Sequence, residues 1–216
     1  MKYEAVIFDL DGTLLDTLED LCDSTNFALA NYGYPARKLF EIRSFLGNGI
    51  GKLIERALPD GTSNSDYNAV LEMFKTHYAV NCNNKTKAYA GIYPLLNALK
   101  VRNVKMAVVS NKVDSAVKAL CERYFSGYFE IAVGEREGIR RKPEPDSVLE
   151  AINALGVKKE SSVYIGDSEV DIETSKNAGI EFIAVSWGFR DKQQLAAIDN
   201  FTIADNAEEL LSLLFT

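Results

Sequence analysis

Cysteine is scarce in this sequence. The chain has three cysteines, Cys22, Cys82 and Cys121, and no two of them form a CxxC pair. An odd number at such wide spacing argues against a disulfide framework and against a structural zinc site. We therefore expect these residues to be buried, reduced thiols.

An excess of basic charge and long apolar runs are also lacking. With 24 Lys and Arg against 31 Asp and Glu, the net charge is -7 at pH 7, which disfavours nonspecific binding to nucleic acid or to a membrane surface. No apolar stretch is long enough to span a bilayer, and the opening MKYEAVIFDLDG lacks the hydrophobic region of a secretory signal. We therefore predict a cytoplasmic protein with no nucleic-acid partner and no membrane partner.

The sequence does contain a repeated pattern of short apolar runs, polar loops and longer segments with helical spacing. Its 216 residues suffice for one large domain, or for a core with a modest insertion. The alternation of strands and helices predicts an α/β fold with a Rossmann-like parallel sheet as its core. The predicted strands are Tyr3–Phe8, Val104–Val109, Glu130–Val133, Val163–Ile165 and Phe182–Val185.

One long segment near the start of the chain carries no strand signal. Apolar residues recur there at helical spacing, in three sets around residues 18–29, 50–58 and 70–78. We predict a small α-helical cap domain, 16–81, inserted into a core domain that comprises 1–15 and 82–216. An insertion directly after the first strand would lie over the carboxyl edge of the sheet, as a lid does.

Acidic residues cluster after two of the predicted strands. Asp9 and Asp11 follow the first strand in VIFDLDGTLLDT, and Asp167 and Asp171 follow another in YIGDSEVDIETSKNAG. Because the carboxyl ends of parallel strands share one edge of the sheet, the four carboxylates would gather there. They would repel one another unless a cation were present, and Mg²⁺ prefers oxygen ligands. The sequence therefore predicts a Mg²⁺ site built from these four aspartates.

Groups suited to binding phosphate follow in the same chain. The stretch VVSNK presents Ser110 and Asn111 at a predicted strand end, and RRKPEP presents Lys142 in a loop stiffened by prolines. Mg²⁺ is usually held by a few carboxylates together with a substrate phosphate. Phosphoryl transfer needs mainly positioning and charge stabilisation, which these residue types can supply.

Taken in order, these motifs resemble those of the haloacid dehalogenase-like phosphatases. The resemblance covers essentially the whole chain, and it implies the family's α/β core with a small cap between the first two motifs. The four motifs are Asp9 to Thr13 (DLDGT), Ser110 with Asn111, Lys142, and Gly166–Asp167 with Asp171 four residues on.

The resemblance implies a catalytic role for several matched residues. Asp9 would be the nucleophile that becomes an aspartyl-phosphate, and Asp11 would be the general acid that later activates water. Ser110 and Lys142 would hold the phosphate, and Thr13 would supply a hydroxyl to the substrate. The carboxyl group of Asp11 favours hydrolysis of the aspartyl-phosphate over its accumulation.

The resemblance also implies the ligands of the metal. Asp167 would bind Mg²⁺ together with Asp9 and the backbone carbonyl of Asp11. Asp171 would orient either the metal shell or Lys142.

The cap stretch RSFLGNGIGKLIERAL is similar to the corresponding segment of phosphoglycolate phosphatases. Gly47, Asn48 and Gly49 would let backbone N–H groups approach a small carboxylate, although a plain turn between two helices is an equally open interpretation. The run AVSWGFRDKQQL is also similar to that subfamily, and there Trp187 and Phe189 could equally be packing aromatics.

Several functions remain open at this point. The leading prediction is a Mg²⁺-dependent phosphatase for a small phosphorylated metabolite, with 2-phosphoglycolate as the first candidate. An isomerase of the β-phosphoglucomutase type, or a pyrophosphatase or nucleotidase of the same family, is the alternative, and a noncatalytic binding protein is a remote one. An imine-forming role for Lys52 is disfavoured by the presence of Asp11. The sequence is compatible with a monomer or a homodimer.

Overall fold

A computed structural model describes residues 2–216 of the chain. The chain divides into two compact units, one made of the residues up to Leu15 and from Ala88 onward, and the other of Asp16–Lys87. We call these the core unit and the helical unit. Within residues 2–216, no helix is both long enough and apolar enough to cross a membrane.

The core unit is built on a parallel sheet. The strands in the described part of the chain are β1 (Ala5–Phe8), β2 (Leu15–Asp16), β3 (Lys87–Ala88), β4 (Lys105–Val113), β5 (Ile131–Glu135), β6 (Ser162–Gly166), β7 (Glu181–Val185) and β8 (Thr202–Ala204). Six of them form one sheet in the order β5-β4-β1-β6-β7-β8, and all neighbours are parallel. This is the order of a doubly wound sheet, so the predicted α/β, Rossmann-like class is confirmed.

Helices follow most of these strands and cover the sheet. In chain order, the α-helices of residues 2–216 are α1 (Leu18–Asn31), α2 (Leu39–Phe45), α3 (Ile50–Ala57), α4 (Tyr67–Asn81), α5 (Ile92–Val101), α6 (Asp114–Phe125), α7 (Asp146–Leu155), α8 (Glu169–Ala178), α9 (Lys192–Ala196) and α10 (Ala207–Phe215). The first four belong to the helical unit and the others to the core unit.

The central strand β1 is buried on both of its faces. Val6 and Phe8 belong to one apolar cluster, which includes residues of α5, α6 and α10. Ala5 and Ile7 point to the opposite face and belong to a second cluster, which includes residues of α7. Successive side chains of a strand alternate between faces, so a strand that is covered on both sides needs the uninterrupted apolar run AVIF.

All five predicted strands are present, and four of them agree with the structure to within two residues at each end. The exception is β4, which continues to Val113 with a shift of register after Val109. The sequence had led us to expect Ser110 and Asn111 after the end of this strand. They lie instead within its irregular last part. The short strand β8 was not predicted.

The helical unit packs α1 against α4 and α2 against α3. Leu29, Ile42, Leu53 and Phe74 are among its fully buried residues. The periodic pattern predicted α1, α3 and α4, but not α2, which has only seven residues.

The helical unit extends to Lys87, six residues beyond the predicted boundary at 81. The physical reason is Asp20 of α1, which is buried and accepts hydrogen bonds from the backbone N–H groups of Lys85 and Thr86 and from the Thr86 hydroxyl. These bonds attach the segment after α4 to the first helix of the same unit. The chain passes between the units through β2 and β3, which pair with each other.

Candidate active site

Three neighbouring strands bring the predicted site residues to one edge of the sheet. Strand β1 lies between β4 and β6. Asp9 follows β1, Asp167 follows β6, and Ser110 belongs to the last part of β4. Ligands of doubly wound sheets bind outside the carboxyl ends of the strands, and this edge is the candidate active site.

Asp9 and Lys142 form a buried ion pair at this edge. The Lys142 Nζ lies 2.6 Å from Asp9 Oδ1 and 2.7 Å from Asp171 Oδ1, and it is 3.0 Å from the Tyr164 hydroxyl. Burial lowers the pKa of Lys142, but the adjacent charges of Asp171 and Asp9 outweigh burial and raise the pKa well above its usual value. Lys142 therefore stays protonated and places a fixed positive charge beside the candidate nucleophile.

Asn111 holds the backbone of Lys142 in place. The Asn111 side-chain amide donates to the carbonyl of Lys142 at 2.9 Å and accepts from its backbone N–H at 2.8 Å. Both polar atoms of the Asn111 side chain are thus occupied by the protein. Asn111 is therefore placed to fix the backbone of Lys142, and its predicted contact with substrate stays a prediction.

Asp9, Asp167 and Asp171 form a buried acidic cluster, in which one carboxylate oxygen from each residue lies within 4.8 Å of the others. Burial raises the pKa of Asp9 to about 7, against the opposing effect of Lys142. Burial and the charges of Asp171 and Asp9 raise the pKa of Asp167 well above its usual value. A divalent cation with oxygen ligands would relieve this repulsion, so the donor set fits the predicted Mg²⁺.

Asp171 is the member of the cluster with the most protein donors. Its Oδ2 accepts from the Ser168 backbone N–H at 3.1 Å, which is one half of the capping box at the start of α8, and from the Ser168 hydroxyl at 2.6 Å. Its Oδ1 accepts from Lys142 and from the Tyr164 hydroxyl. Of the two roles predicted for Asp171, this saturation favours orientation of Lys142 over coordination of the metal.

The side chain of Asp11 pairs with a lysine that the sequence analysis did not single out. The Lys112 Nζ lies 3.0 Å from Asp11 Oδ1, and the Ser110 hydroxyl lies 3.4 Å from Asp11 Oδ2. Asp11 is partly exposed, whereas Lys112 is buried. The available signal was the lysine that directly follows Ser110 and Asn111 in VVSNK.

The turn after β1 fits closely against Asp167. Gly12 has a φ of +97°, and a Cβ at this position would overlap the Asp167 carboxylate, so the turn requires glycine on both counts. The hydroxyl of Thr13, predicted to contact substrate, lies 3.3 Å from Asp167 Oδ1. Thr13 thus connects the first motif to the last one.

The predicted substrate-binding residues of the cap lie in the helical unit, in the turn before α3. Gly47 and Gly49 have φ values of +113° and +84°, which glycine adopts readily. The Asn48 Oδ1 accepts a hydrogen bond of 2.8 Å from Arg56, and Lys52 pairs with Glu55 on α3. The substrate contact of Gly47, Asn48 and Gly49 stays a prediction.

Comparison with known proteins gives a consistent result. Residues 6–185 match the family described as haloacid dehalogenase-like hydrolase. Phosphoglycolate phosphatase 1 of Pseudomonas aeruginosa is 32% identical over 212 residues, which cover 95% of this chain and 78% of the relative. Phosphoglycolate phosphatase of Aquifex aeolicus is 34% identical over 185 residues, 85% of each chain.

A solved structure is similar over the whole chain. It comes from Lactobacillus delbrueckii subsp. bulgaricus and is provisionally described as a phosphoglycolate phosphatase. The two chains are 40% identical and superpose with a TM-score of 0.95, and the match covers 99% of each. The likeness therefore includes both the sheet that carries the acidic cluster and the helical unit.

Proposed function

Because the chain belongs to the haloacid dehalogenase-like hydrolases, we propose that it is a Mg²⁺-dependent phosphatase acting on a small phosphomonoester through an aspartyl-phosphate on Asp9. The observation that carries this proposal is the buried pair of Asp9 and Lys142 within an acidic cluster. The pair supplies a nucleophile and a phosphate-binding cation at one point. The proposed partner is a small phosphorylated metabolite, encountered in the cytoplasm by a monomer or homodimer.

The chemistry divides between two carboxyl groups. A carboxylate oxygen of Asp9 attacks the phosphorus atom, and the bond between phosphorus and the ester oxygen breaks while Asp11 donates a proton to that oxygen. Asp11 then accepts a proton from the water that hydrolyses the aspartyl-phosphate. The products are the free alcohol and inorganic phosphate, and both carboxyl groups return to their starting state. Lys142 offsets the negative charge of the phosphoryl group throughout.

The residues proposed to hold Mg²⁺ are Asp9, Asp167 and the backbone carbonyl of Asp11. When bound, the cation would neutralise charge on the phosphoryl oxygens. It would also offset the repulsion between the carboxylates of Asp9 and Asp167, because the charge of Asp9 contributes to the raised pKa of Asp167.

We propose 2-phosphoglycolate as the substrate. Two points support it: two relatives that match most of the chain bear the name phosphoglycolate phosphatase, and the Gly47–Asn48–Gly49 turn directly precedes α3, where backbone N–H groups would bind a small carboxylate. A pyrophosphatase, a nucleotidase or a sugar-phosphate mutase would place the same core chemistry on a different substrate.

The first experiment measures free-phosphate release by the purified protein with Mg²⁺ and again after addition of EDTA. Substrates are 2-phosphoglycolate, pyrophosphate, nucleoside monophosphates and β-glucose 1-phosphate. We expect the highest kcat/KM for 2-phosphoglycolate, loss of activity with EDTA, and background release by Asp9→Asn. Activity of Asp9→Asn near that of the wild type would refute the mechanism. Conversion of β-glucose 1-phosphate to glucose 6-phosphate, with no phosphate release, would instead identify a mutase.

A further inference from the structure

The segment Trp187–Arg190, which follows β7, has no role in the chemistry described above. Its residues nevertheless contact the turn after β1, Asp167 and the start of α8. The indole Nε1–H of Trp187 donates to the carbonyl of Thr13 at 3.0 Å, in the turn after β1. The backbone N–H of Phe189 donates to Asp167 Oδ2 at 2.6 Å. The segment therefore touches both the first and the last acidic motif.

Gly188 packs against residues of both of these motifs. A Cβ at this position would overlap the carbonyl oxygen of Gly12 and both the Cβ and Oδ2 of Asp167. Any larger residue would displace the Gly12 turn, Asp167 or the segment itself. The backbone of the segment therefore packs closely against both the Gly12 turn and Asp167, and these two elements are proposed to supply metal ligands.

Arg190 anchors the end of the segment. Its Nε and Nη2 donate to Glu169 Oε2 and Oε1 at 2.9 and 2.8 Å, and Arg190 is 9% exposed. Glu169 is the first residue of α8 and lies two residues after Asp167. A two-pronged arginine–carboxylate pair fixes direction as well as distance, so this fork ties the loop after β7 to the loop that carries Asp167.

From these contacts we propose that Trp187–Arg190 is a clasp that holds Asp167 and the Gly12 turn at the spacing required by a divalent cation. Arg190 is its positioning residue and acts through Glu169. The inference rests on the proposed function, since the cation is the Mg²⁺ of that reaction. It adds a determinant of metal affinity that lies outside the four motifs and is not itself a metal ligand.

The test measures Mg²⁺ affinity directly, by isothermal titration calorimetry on protein without substrate. Arg190→Lys keeps the charge but loses the fork, and Glu169→Gln keeps the shape but loses the charge. Residues that support metal ligands typically change metal affinity by about 10- to 100-fold when mutated. We expect both variants to raise the Kd for Mg²⁺ by about 10-fold or more.

The matched control is Arg136→Lys. Arg136 also pairs with a glutamate, since its Nη2 lies 2.6 Å from both carboxylate oxygens of Glu150 of α7. Its replacement therefore tests the loss of an arginine–glutamate pair elsewhere in the core unit. We expect its Kd for Mg²⁺ to equal that of the wild type. The melting temperature of each variant, measured without metal, shows whether it is folded before titration.

Trp187 supplies a second readout, because it is the single tryptophan of the chain and its indole contacts the turn after β1. We expect Mg²⁺ to change its fluorescence in the wild type, with the same midpoint as the calorimetry, and in Arg190→Lys only at higher Mg²⁺ concentration. Saturating Mg²⁺ should then restore most of the kcat of Arg190→Lys, which damage to the fold would not allow.

The outcomes separate the clasp from the proposed function. If the wild type binds Mg²⁺ and releases phosphate, but Arg190→Lys and Glu169→Gln bind Mg²⁺ within about twofold of the wild type, the clasp is refuted and the proposed function stands. If Arg136→Lys weakens binding as much as Arg190→Lys does, the effect is general and the clasp is again refuted. A wild type that binds no Mg²⁺ would overturn both.

Discussion

Lys112 is a charged residue that the core unit keeps from solvent. Its side chain is 6% exposed, and its Nζ pairs with Asp11 Oδ1 at 3.0 Å. Lysine is rarely buried unless it is paired, and here the partner is the proposed general acid. The pair restricts the directions in which the Asp11 carboxyl can point. Lys112 should therefore affect the proton-transfer step more than the attack by Asp9.

We predict that Lys112→Met lowers kcat for 2-phosphoglycolate by about 10- to 100-fold, since general acid catalysis by a positioned group contributes about 10²- to 10⁴-fold. Methionine fills a similar volume but leaves Asp11 without its cationic partner. The loss should be much smaller with p-nitrophenyl phosphate, whose leaving group departs without a proton. Steady-state kinetics on both substrates make the comparison.

The control for this variant is Lys118→Gln. Lys118 pairs with Asp114 on the surface of α6, and its side chain is 61% exposed, so we expect kcat to be unchanged on either substrate. Equal losses on the two substrates in Lys112→Met would contradict the assignment of Lys112 to the proton-transfer step.

Individual motif residues could be predicted from the sequence, but their partners could not. Asp9 and Asp167 follow apolar runs that are recognisable as strands, so their arrival at one edge of the sheet follows from the parallel topology. Tyr164 looks like an ordinary strand residue, yet its hydroxyl contacts Lys142. Which of two neighbouring polar residues contacts Asp11 and which contacts the backbone of Lys142 depends on the irregular end of β4. No sequence pattern reveals that choice for Ser110 and Asn111.

Helix α8 connects secondary structure directly to the candidate site. Its capping box consists of Ser168 and Asp171, and the same Asp171 carboxylate accepts a hydrogen bond from Lys142. A helix start is among the more rigid places for a side chain, because the cap fixes both the backbone and the carboxylate. The start of α8 therefore positions the ammonium group of Lys142, which contacts Asp9.

Two substitutions separate the cap from the positioning of Lys142. We predict that Ser168→Ala costs about 1 kcal/mol of unfolding free energy, as typical helix caps do, with Mg²⁺ affinity retained. Asp171→Asn should keep most of the cap but reduce kcat by at least about 10-fold, because Lys142 loses a charged partner. Urea unfolding, kinetics and Mg²⁺ titration measure the three quantities. If Asp171→Asn abolished Mg²⁺ binding, Asp171 would be a ligand instead.

The turn before α3 allows a test of substrate selectivity. We predict that Gly49→Ala raises KM for 2-phosphoglycolate severalfold and leaves KM for p-nitrophenyl phosphate unchanged, because the added methyl group hinders approach of a carboxylate to the backbone N–H groups. Gly33→Ala is the matched control, since Gly33 also has a positive φ, +76°, and a Cβ there would meet nothing within 4 Å. Equal changes of KM in the two variants would remove the turn from substrate recognition.

Long, regular elements were predictable from the sequence, and short ones were not. The run AVIF of β1 is apolar throughout because both of its faces are covered, and such runs stand out. Helix α2 has only seven residues, of which Phe40 is 67% exposed and Ile42 is buried. So short a helix has too few buried apolar residues to show a periodic pattern. Strand β8 has three residues. Their places depend on contacts that the rest of the fold provides, and local sequence does not encode these contacts.

For the molecule as a whole, the acidic cluster proposed to bind the metal also lowers the stability of the metal-free protein at neutral pH. The pKa of Asp9 in the folded protein is raised from 3.8 to about 7, chiefly by burial, and the pKa of Asp167 is also raised well above its usual value, chiefly by burial. The folded state therefore holds protons that the unfolded chain releases. The stability linked to Asp9 is present in full below pH 3.8 and is lost as the pH rises to about 7. Above that range the metal-free protein holds charges that repel one another.

We predict that the melting temperature of the metal-free protein falls between pH 5 and pH 7.5, and that Mg²⁺ raises it most at the higher pH, because binding requires the deprotonated carboxylates. Asp167→Asn should melt above the metal-free wild type at pH 7.5, by roughly 2–4 °C for each 1 kcal/mol of repulsion removed, and should gain little from Mg²⁺. Asp199→Asn is the control, because Asp199 has its pKa lowered by Lys176 and its loss should not stabilise the protein. Melting curves with and without Mg²⁺ test this prediction. An Asp167→Asn variant that melts below the wild type at pH 7.5 without metal would contradict it. That result would show that the acidic cluster stabilises the fold and that no cation is needed to offset its charge.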